Sequence, residues 1–231
     1  YAGAERNAST SGINGNNELN MEGVSATVEY TVNDMLSLKS ITANRTDNTE
    51  SVIDFASLAV DDMDAAVIYD NKQFTQEFIA NYTADRLAGS VGFFYLDSSA
   101  ANDFDVVLGQ LGRVAFGAPL TAYTGGVVDT KAFAVYADFD YELTESLNAS
   151  LGGRFTSDKR SAKVLRQAFL GVPSSFFGND AAIGLPPTSD FESEKTYKDF
   201  SPRAVLDYAF SEGVNTYVSY SSAFKAGSFD P

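Results

Sequence analysis

The side chains that could carry chemistry are carboxylates, basic groups and aromatic rings, because the 231-residue chain contains no Cys and no His. Without Cys there are neither disulfides nor thiolate metal ligands. Without His, the commonest general base and the commonest transition-metal ligand are absent. A Ser-His-Asp or Cys-His mechanism is therefore excluded within this chain. We therefore expect that the chain has no catalytic residue and that the protein is not an enzyme.

Carboxylates are densest between Asp47 and Asp70, where the cluster Asp61-Asp62-Met63-Asp64 stands out. Carboxylate oxygens are hard ligands that suit Ca²⁺, so Asp61, Asp62 and Asp64 are candidate metal ligands. The cluster lacks the Gly and Glu of an EF-hand loop. The alternative is a solvated loop kept soluble by its charge. No other cofactor is expected.

A second acidic set, Asp138, Asp140 and Glu142, recurs at every second residue. This spacing puts all three carboxylates on one face of a strand. Glycoside hydrolysis requires two carboxyl groups facing each other about 5–9 Å apart, and nothing in the sequence places a partner opposite the set. We therefore interpret these residues as wall charges.

Segment 157–197 combines a basic cluster with aromatic residues. The basic residues suit phosphate groups, and the aromatic residues suit capture of a ligand. The candidate ligand-binding residues are Arg166, Phe169, Phe176 and Phe177; the other basic residues are Lys159, Arg160 and Lys163. The alternative is an ordered loop folded over the mouth of the molecule.

Apolar residues recur with period two along most of the chain, which predicts β-strands. In 131–142, for example, Phe133, Val135 and Phe139 alternate with Asp138 and Asp140. Eight strands are predicted, at 24–32, 36–45, 74–83, 87–96, 131–142, 146–156, 199–210 and 214–222.

Short and long connections alternate between these strands. Short turns are predicted near 33–35, 84–86, 143–146 and 211–213, and long loops at about 1–23, 47–72, 97–130 and 157–197. Short turns at one end and long loops at the other are the layout of an antiparallel, up-and-down outer-membrane β-barrel, with periplasmic turns and extracellular loops. Connections this long are uncommon in compact domains and are usually functional.

Aromatic residues sort into two levels on the predicted strands. One level, beside the short turns, contains Tyr30, Tyr82, Tyr141 and Tyr208; the other contains Tyr95, Phe155 and Tyr220. Two aromatic belts match the two interfaces of a bilayer, whereas a soluble sandwich gives no reason for this sorting. The apolar row from Phe200 to Phe210 is accordingly predicted to face lipid.

The alternate face of each strand carries charges, which we place in the lumen of the barrel. They are Glu29, Lys39, Arg45, Glu77, Asp138, Asp140, Glu142, Arg154, Arg203 and Asp207. Such charges could contact a lumenal domain or a substrate, but the simpler interpretation is mutual pairing across neighbouring strands.

Composition also excludes some classes of function and of membrane protein. The net charge of −15, from 31 acidic and 16 basic residues, argues against nucleic acid, whose phosphates require clustered Lys and Arg. No stretch approaches the ~20 apolar residues of a membrane helix. No signal peptide is visible, and we interpret both ends as truncations.

Five segments of the chain carry recognisable strand motifs: LKSITA at 38–43, QEF at 76–78, LGGRFT at 151–156, FSPRAVLDY at 200–208 and TYVSYSSAFKAGSF at 216–229. In this order they resemble strand motifs of TonB-dependent outer-membrane receptors. The residues that match the family motifs are Arg154, Pro202, Tyr217, Tyr220, Phe224 and Gly227. The chain departs from the motifs at Ala223, where Gly is usual, and at Gly153, where an aliphatic residue is usual.

This resemblance implies part of the wall and loops of a plugged barrel of about 22 strands, with the plug domain missing. It further implies active uptake of a siderophore-iron complex, cobalamin or a glycan at the outer membrane of a Gram-negative bacterium. The implied partners are outer-membrane lipid, lipopolysaccharide and, through the plug, TonB-ExbB-ExbD. The alternatives are a passive porin or small closed outer-membrane barrel, and a soluble all-β Ca²⁺-binding module.

Overall fold

One antiparallel sheet makes up nearly all of the computed structural model, which describes residues 17–55, 62–172 and 182–229. The eight predicted strands are all present, together with a two-residue strand and one short helix. The elements are β1 (Glu18–Asn33), β2 (Leu36–Asp54), β3 (Met63–Thr83), β4 (Leu87–Leu108), α1 (Gly109–Phe116), β5 (Leu120–Thr144), β6 (Leu147–Leu170), β7 (Ile183–Gly184), β8 (Ser189–Ser211) and β9 (Val214–Ser221).

Each long strand pairs with the next one in the chain, so the order is β1-β2-β3-β4-β5-β6-β8-β9, with β7 on the end of β6. The four short turns lie where they were predicted. In the first, the Asn33 side-chain oxygen accepts the backbone N–H groups of Met35 and Leu36, both at 2.9 Å. In the last, Gly213 has φ 85°, a conformation that favours glycine.

The predicted alternation divides the sheet into two faces. We call the face that carries Phe133 and Val135 the outer face, and the face that carries Asp138 and Arg154 the inner face. On the outer face, Phe133 and Val135 are 42% and 47% exposed, whereas Ala134 between them is fully covered on the inner face. Apolar side chains thus lie uncovered on one side of the sheet.

The outer apolar residues form a belt next to the short turns. One row of the belt runs across four strands through Phe93, Val135, Phe155 and Phe200. From Phe133 to Tyr141 a strand rises roughly 27 Å, and a tilt of about 40° reduces this to roughly 20 Å, close to the apolar band of an outer-membrane barrel.

The bounds predicted for the long loops were wrong. Most of 97–130 belongs to β4 and β5, most of 47–72 to β2 and β3, and much of 157–197 to β6 and β8. The connections among the described elements are shorter, at 55–62, 109–119 and 171–188. Of the segment 1–23, residues 18–23 belong to β1, and 1–16 lie outside the described residues.

The predicted strands are too short because polarity alternates along a strand only where one face is apolar. The observed strands continue beyond the apolar belt. Beyond the belt the outer face becomes polar as well; Lys131, for example, pairs with Asp97 across the strands at 3.5 Å. Backbone pairing does not depend on side-chain polarity, so the ladder continues. A spanning strand needs about 9–11 residues, whereas β5 has 25.

The end of the sheet far from the short turns, which we call the far end, contains a small core of buried residues from both faces. Ala65, Val107 and Val164 are nearly inaccessible there. Helix α1 packs against the start of β5 at Gly112, where an added Cβ would meet the backbone of Leu120. Among the described residues, no helix is long and apolar enough to cross a membrane.

Candidate functional site

A cavity of about 690 Å³ lies on the inner face at the far end. Arg166 lines it from β6, next to Thr124 on β5 and Phe104 on β4, because these three residues share one cross-strand row. Alternation places every second residue of a strand on the same face. The fold thus places the candidate ligand residue Arg166, whose side chain is exposed, at the wall of this recess.

Aromatic and amide side chains complete the wall of the cavity. Tyr69 and Asn71 enter from β3, Asn102 from β4 and Phe229 from the segment that follows β9. Asn71 is held by its side-chain N–H, which donates to the Asp47 carboxylate at 2.7 Å. Sequence reasoning missed the contributions of β3 and β4 because both segments were interpreted as loops.

This lining suits an anionic ligand with flat or aromatic parts. A guanidinium group presents its N–H donors in a planar fork that matches carboxylates and other oxyanions. The rings of Tyr69, Phe104 and Phe229 offer apolar surface, and the phenol of Tyr69 adds a polar group. The i, i+2 spacing of Tyr69 with Asn71 is the signal that could have revealed the wall.

Phe169, the other described candidate ligand residue, does not lie beside Arg166. Phe169 lies three residues further along β6, so its side chain is on the outer face, opposite Thr121 and Gly184. Phe176 and Phe177 lie outside the described residues. Of the two described members of the predicted group, Arg166 lines the cavity and Phe169 does not.

The basic cluster of 157–197 is divided between the two faces. On the outer face, Lys159 pairs with Glu194 at 2.9 Å and Lys163 with Glu192 at 2.7 Å. On the inner face, Arg160 pairs with Asp158 at 3.1 Å. Phosphates of lipopolysaccharide would compete with these carboxylates, so lipopolysaccharide contact stays a prediction.

The outer pair Lys163–Glu192 also shows how the far end responds to pH. Their mutual hydrogen bond and opposite charges raise the pKa of Lys163 and lower the pKa of Glu192. The pair therefore contributes at neutral pH. Its contribution is lost when acid protonates Glu192 or when strong base neutralises Lys163, and because both groups are exposed it is small.

The pairing expected among inner-face charges is confirmed at two places. Lys39 bonds Glu29 across β1 and β2 at 2.7 Å. Arg203 bonds both oxygens of Asp138, at 2.8 and 3.0 Å, reaching from β8 to β5 across Gly152 on β6. An added Cβ at Gly152 would collide with the Asp138 carboxylate, so glycine is required for this bridge.

The rest of the acidic triple has different neighbours. Ser150 donates a hydrogen bond to the Asp140 carboxylate. At Glu142 the backbone carbonyl, rather than the carboxylate, accepts a hydrogen bond from the Arg86 side chain at 2.9 Å. Asp138 and Asp140 thus bond neighbours within the sheet, as wall charges do.

The proposed Ca²⁺ ligands are only partly described. Asp61 lies outside the described residues, Asp62 precedes β3, and Asp64 is buried on β3 opposite Asp54. The described part of the chain contains no group of three or more carboxylates positioned to hold a metal. The Ca²⁺ site stays a prediction.

The family-motif residues occupy both faces near the belt. Pro202 and Tyr220 lie in the outer rows, with Pro202 opposite Gly153. Arg154 lies on the inner face, opposite Tyr136. Gly227 follows β9 and passes so close to the Tyr197 ring that an added Cβ would collide with it.

The family model "TonB dependent receptor-like, beta-barrel" matches the chain over residues 1–231. No curated protein sequence matches it. Similar folds occur among solved structures, and the chain spans about a third of the length of the three described next.

Three solved receptors illustrate the likeness. The ferric yersiniabactin uptake receptor FyuA from Yersinia pestis has TM-score 0.63 and 16% identity, over 85% of this chain and 27% of FyuA. The siderophore receptor PiuA from Acinetobacter baumannii has TM-score 0.63 and 10% identity, over 89% and 32%. The ferric-catecholate import receptor Fiu from Escherichia coli K12 has TM-score 0.55 and 13% identity, over 92% and 35%.

Proposed function

Because this chain belongs to the TonB-dependent receptor β-barrel family, we propose that its protein imports a ferric siderophore across the outer membrane of a Gram-negative bacterium. The outer belt lies in the lipid, and the inner face lines the lumen. TonB-ExbB-ExbD supplies the energy through a lumenal plug domain. The names of the three receptors of similar fold give ferric yersiniabactin, a siderophore and ferric catecholate as what they take up or bind, and this supports the choice of substrate.

The observation that carries the proposal is the position of the cavity. It opens on the inner face at the far end, beyond the belt, where a ligand arriving from outside the cell first meets the barrel. Arg166 and the rings of Tyr69 and Phe104 line it. Siderophore complexes combine oxyanion ligands with flat or aromatic parts, so the lining suits this class of substrate.

The test is binding to the intact receptor in detergent micelles, measured by calorimetry with ferric catecholate, hydroxamate and carboxylate siderophores. Cyanocobalamin and an oligosaccharide serve as comparison ligands. We expect one ferric siderophore to bind. Arg166→Gln should weaken its binding about tenfold or more, because hydrogen bonds to a charged group contribute ~1.5–3 kcal/mol.

Lys163→Gln is the matched control, since it removes a cation from the same strand on the outer face. Binding to Lys163→Gln should equal that of the wild type. Binding of cobalamin or the oligosaccharide in place of any siderophore would refute the substrate class. Equal losses in both variants would refute the assignment of the cavity.

A further inference from the structure

Arg154 is an inner-face cation that forms no salt bridge with a carboxylate of the described residues. It lies on the inner face of β6 at the level of the belt, between Tyr136 on β5 and Ser201 on β8. Its Nε donates to the Thr156 hydroxyl at 3.2 Å. No Asp or Glu of the described segments lies within salt-bridge distance, so the donors on Nη1 and Nη2 are available to a further group.

Two aromatic rings hold the guanidinium in place. Its central carbon lies 5.6 Å from the centroid of Tyr136 and 5.7 Å from that of Phe94, within the range of cation–π attraction. Ala134 lies opposite Phe94 in the register and is fully covered. An arginine fixed in this way loses little side-chain entropy when it binds a partner.

The position of Tyr136 is itself fixed by the sheet. Its ring lies over Gly92, where an added Cβ would collide with the phenol. Its hydroxyl donates to the Glu77 carboxylate at 2.8 Å. Glu77, Gly92, Tyr136 and Arg154 therefore form one chain of contacts across β3, β4, β5 and β6.

The neighbouring carboxylates have other partners. Asp138, one inner position closer to the short turns, is engaged on both oxygens by Arg203. Glu77 accepts the Tyr136 hydroxyl. The wall thus carries a guanidinium that is held in place by two rings and forms no salt bridge among the described residues.

We propose that Arg154 is the docking residue for an Asp or Glu carboxylate on the protein segment that fills the lumen. The proposal rests on the function proposed above, because that function places a plug against the inner face. Charge complementarity selects an acidic group, and the planar fork selects a bidentate carboxylate. Arg154 lies level with the outer belt, away from the cavity at the far end. This position favours a protein segment that stays in the lumen over a ligand captured at the far end.

The experiment is hydrogen exchange followed by mass spectrometry on the intact receptor in detergent micelles. In Arg154→Gln, peptides of the lumenal domain that contact the wall should exchange roughly tenfold faster than in the wild type, which corresponds to ~1.4 kcal/mol. Arg154→Lys should give an intermediate rate, because Lys keeps the charge but lacks the planar fork. Peptides from β4, β5 and β6 should keep their rates.

The double variant Asp138→Asn with Arg203→Gln is the matched control, since it removes an inner-face ion pair without leaving a charge unpaired. It should leave lumenal-domain exchange as in the wild type. Faster exchange confined to β4, β5 and β6 in Arg154→Gln would show a merely structural role and overturn the proposal.

A second outcome would also overturn it: unchanged lumenal exchange together with weaker binding of a ferric carboxylate siderophore would assign Arg154 to the ligand. Exchange rates do not depend on the substrate. If the wild-type receptor binds no siderophore, the proposed function fails while the docking result can still be read.

Discussion

At the scale of single residues, the face on which a side chain lies decides what a substitution costs. Ala204 and Val205 are adjacent on β8, but Ala204 lies in the outer row opposite Leu151 and Val205 on the inner face opposite Ser150. Leu151 is 66% exposed and belongs to the apolar outer face. In the orientation proposed above, one step along the chain therefore moves a side chain from hydrocarbon to a polar lumen.

We expect Ala204→Arg to hinder assembly of the barrel and Val205→Arg to be tolerated. An arginine on the lipid face near the midplane costs about 2–4 kcal/mol, whereas lumenal substitutions cost little. The measurement is the folded fraction after refolding the intact receptor into lipid vesicles, read from heat-modifiable migration on gels. Equal folded fractions for the two variants would contradict the assignment of the faces.

At the scale of elements, the long hairpins are the main structural finding. Strands β4 and β5 pair without interruption from the short-turn end to Leu108 and Leu120, and α1 bridges their ends. Regular backbone hydrogen bonding therefore continues past the belt. This rigid wall holds Phe104, Thr124 and Arg166 in one row.

Hydrogen exchange should reveal this wall directly. Amides in 97–108 and 120–130 should be protected as strongly as those in the belt, because they belong to the same ladder, whereas amides in 109–119 should exchange faster. The short turn at 84–86 is the internal reference for fast exchange. Uniformly fast exchange across 97–130 would support the loop that the sequence pattern predicts.

At the scale of the whole molecule, two directions organise the chain. Across the sheet, an uncovered apolar belt opposes a charged inner face. Along the strands, the short turns and belt lie at one end, and the cavity and small core at the other. The family assignment and this polarity together give the orientation we propose, with the far end outside the cell.

An epitope inserted into the connection at 117–119 should be detected by antibody on intact cells. The same epitope inserted at 212–213 should be detected only after the outer membrane is opened, since barrels of this kind place short turns in the periplasm. Both connections lie outside the ladders, so both receptors should assemble. Labelling of 212–213 on intact cells would reverse the proposed orientation.

The sequence by itself determined the strand pattern, the short turns, the apolar face and the family. These features are local, because alternation along one strand and turn residues such as Asn33 and Gly213 act within a few positions. The row from Phe200 to Phe210 already separates the positions of the apolar outer face from those of the polar inner face. The five family motifs then indicated a receptor β-barrel, whereas alternation and turns alone predict only an outer-membrane barrel in general.

Only the tertiary structure decided where the strands end and which residues meet. Beyond the belt both faces are polar, so alternation disappears although pairing continues, and the walls around Tyr69 and Phe104 were interpreted as loops. Register likewise decides that Arg166 enters the cavity while Phe169 does not. The stacking of Arg154 on Tyr136 and Phe94 also depends on cross-strand register, since these residues are far apart in sequence and meet only when the ladder forms.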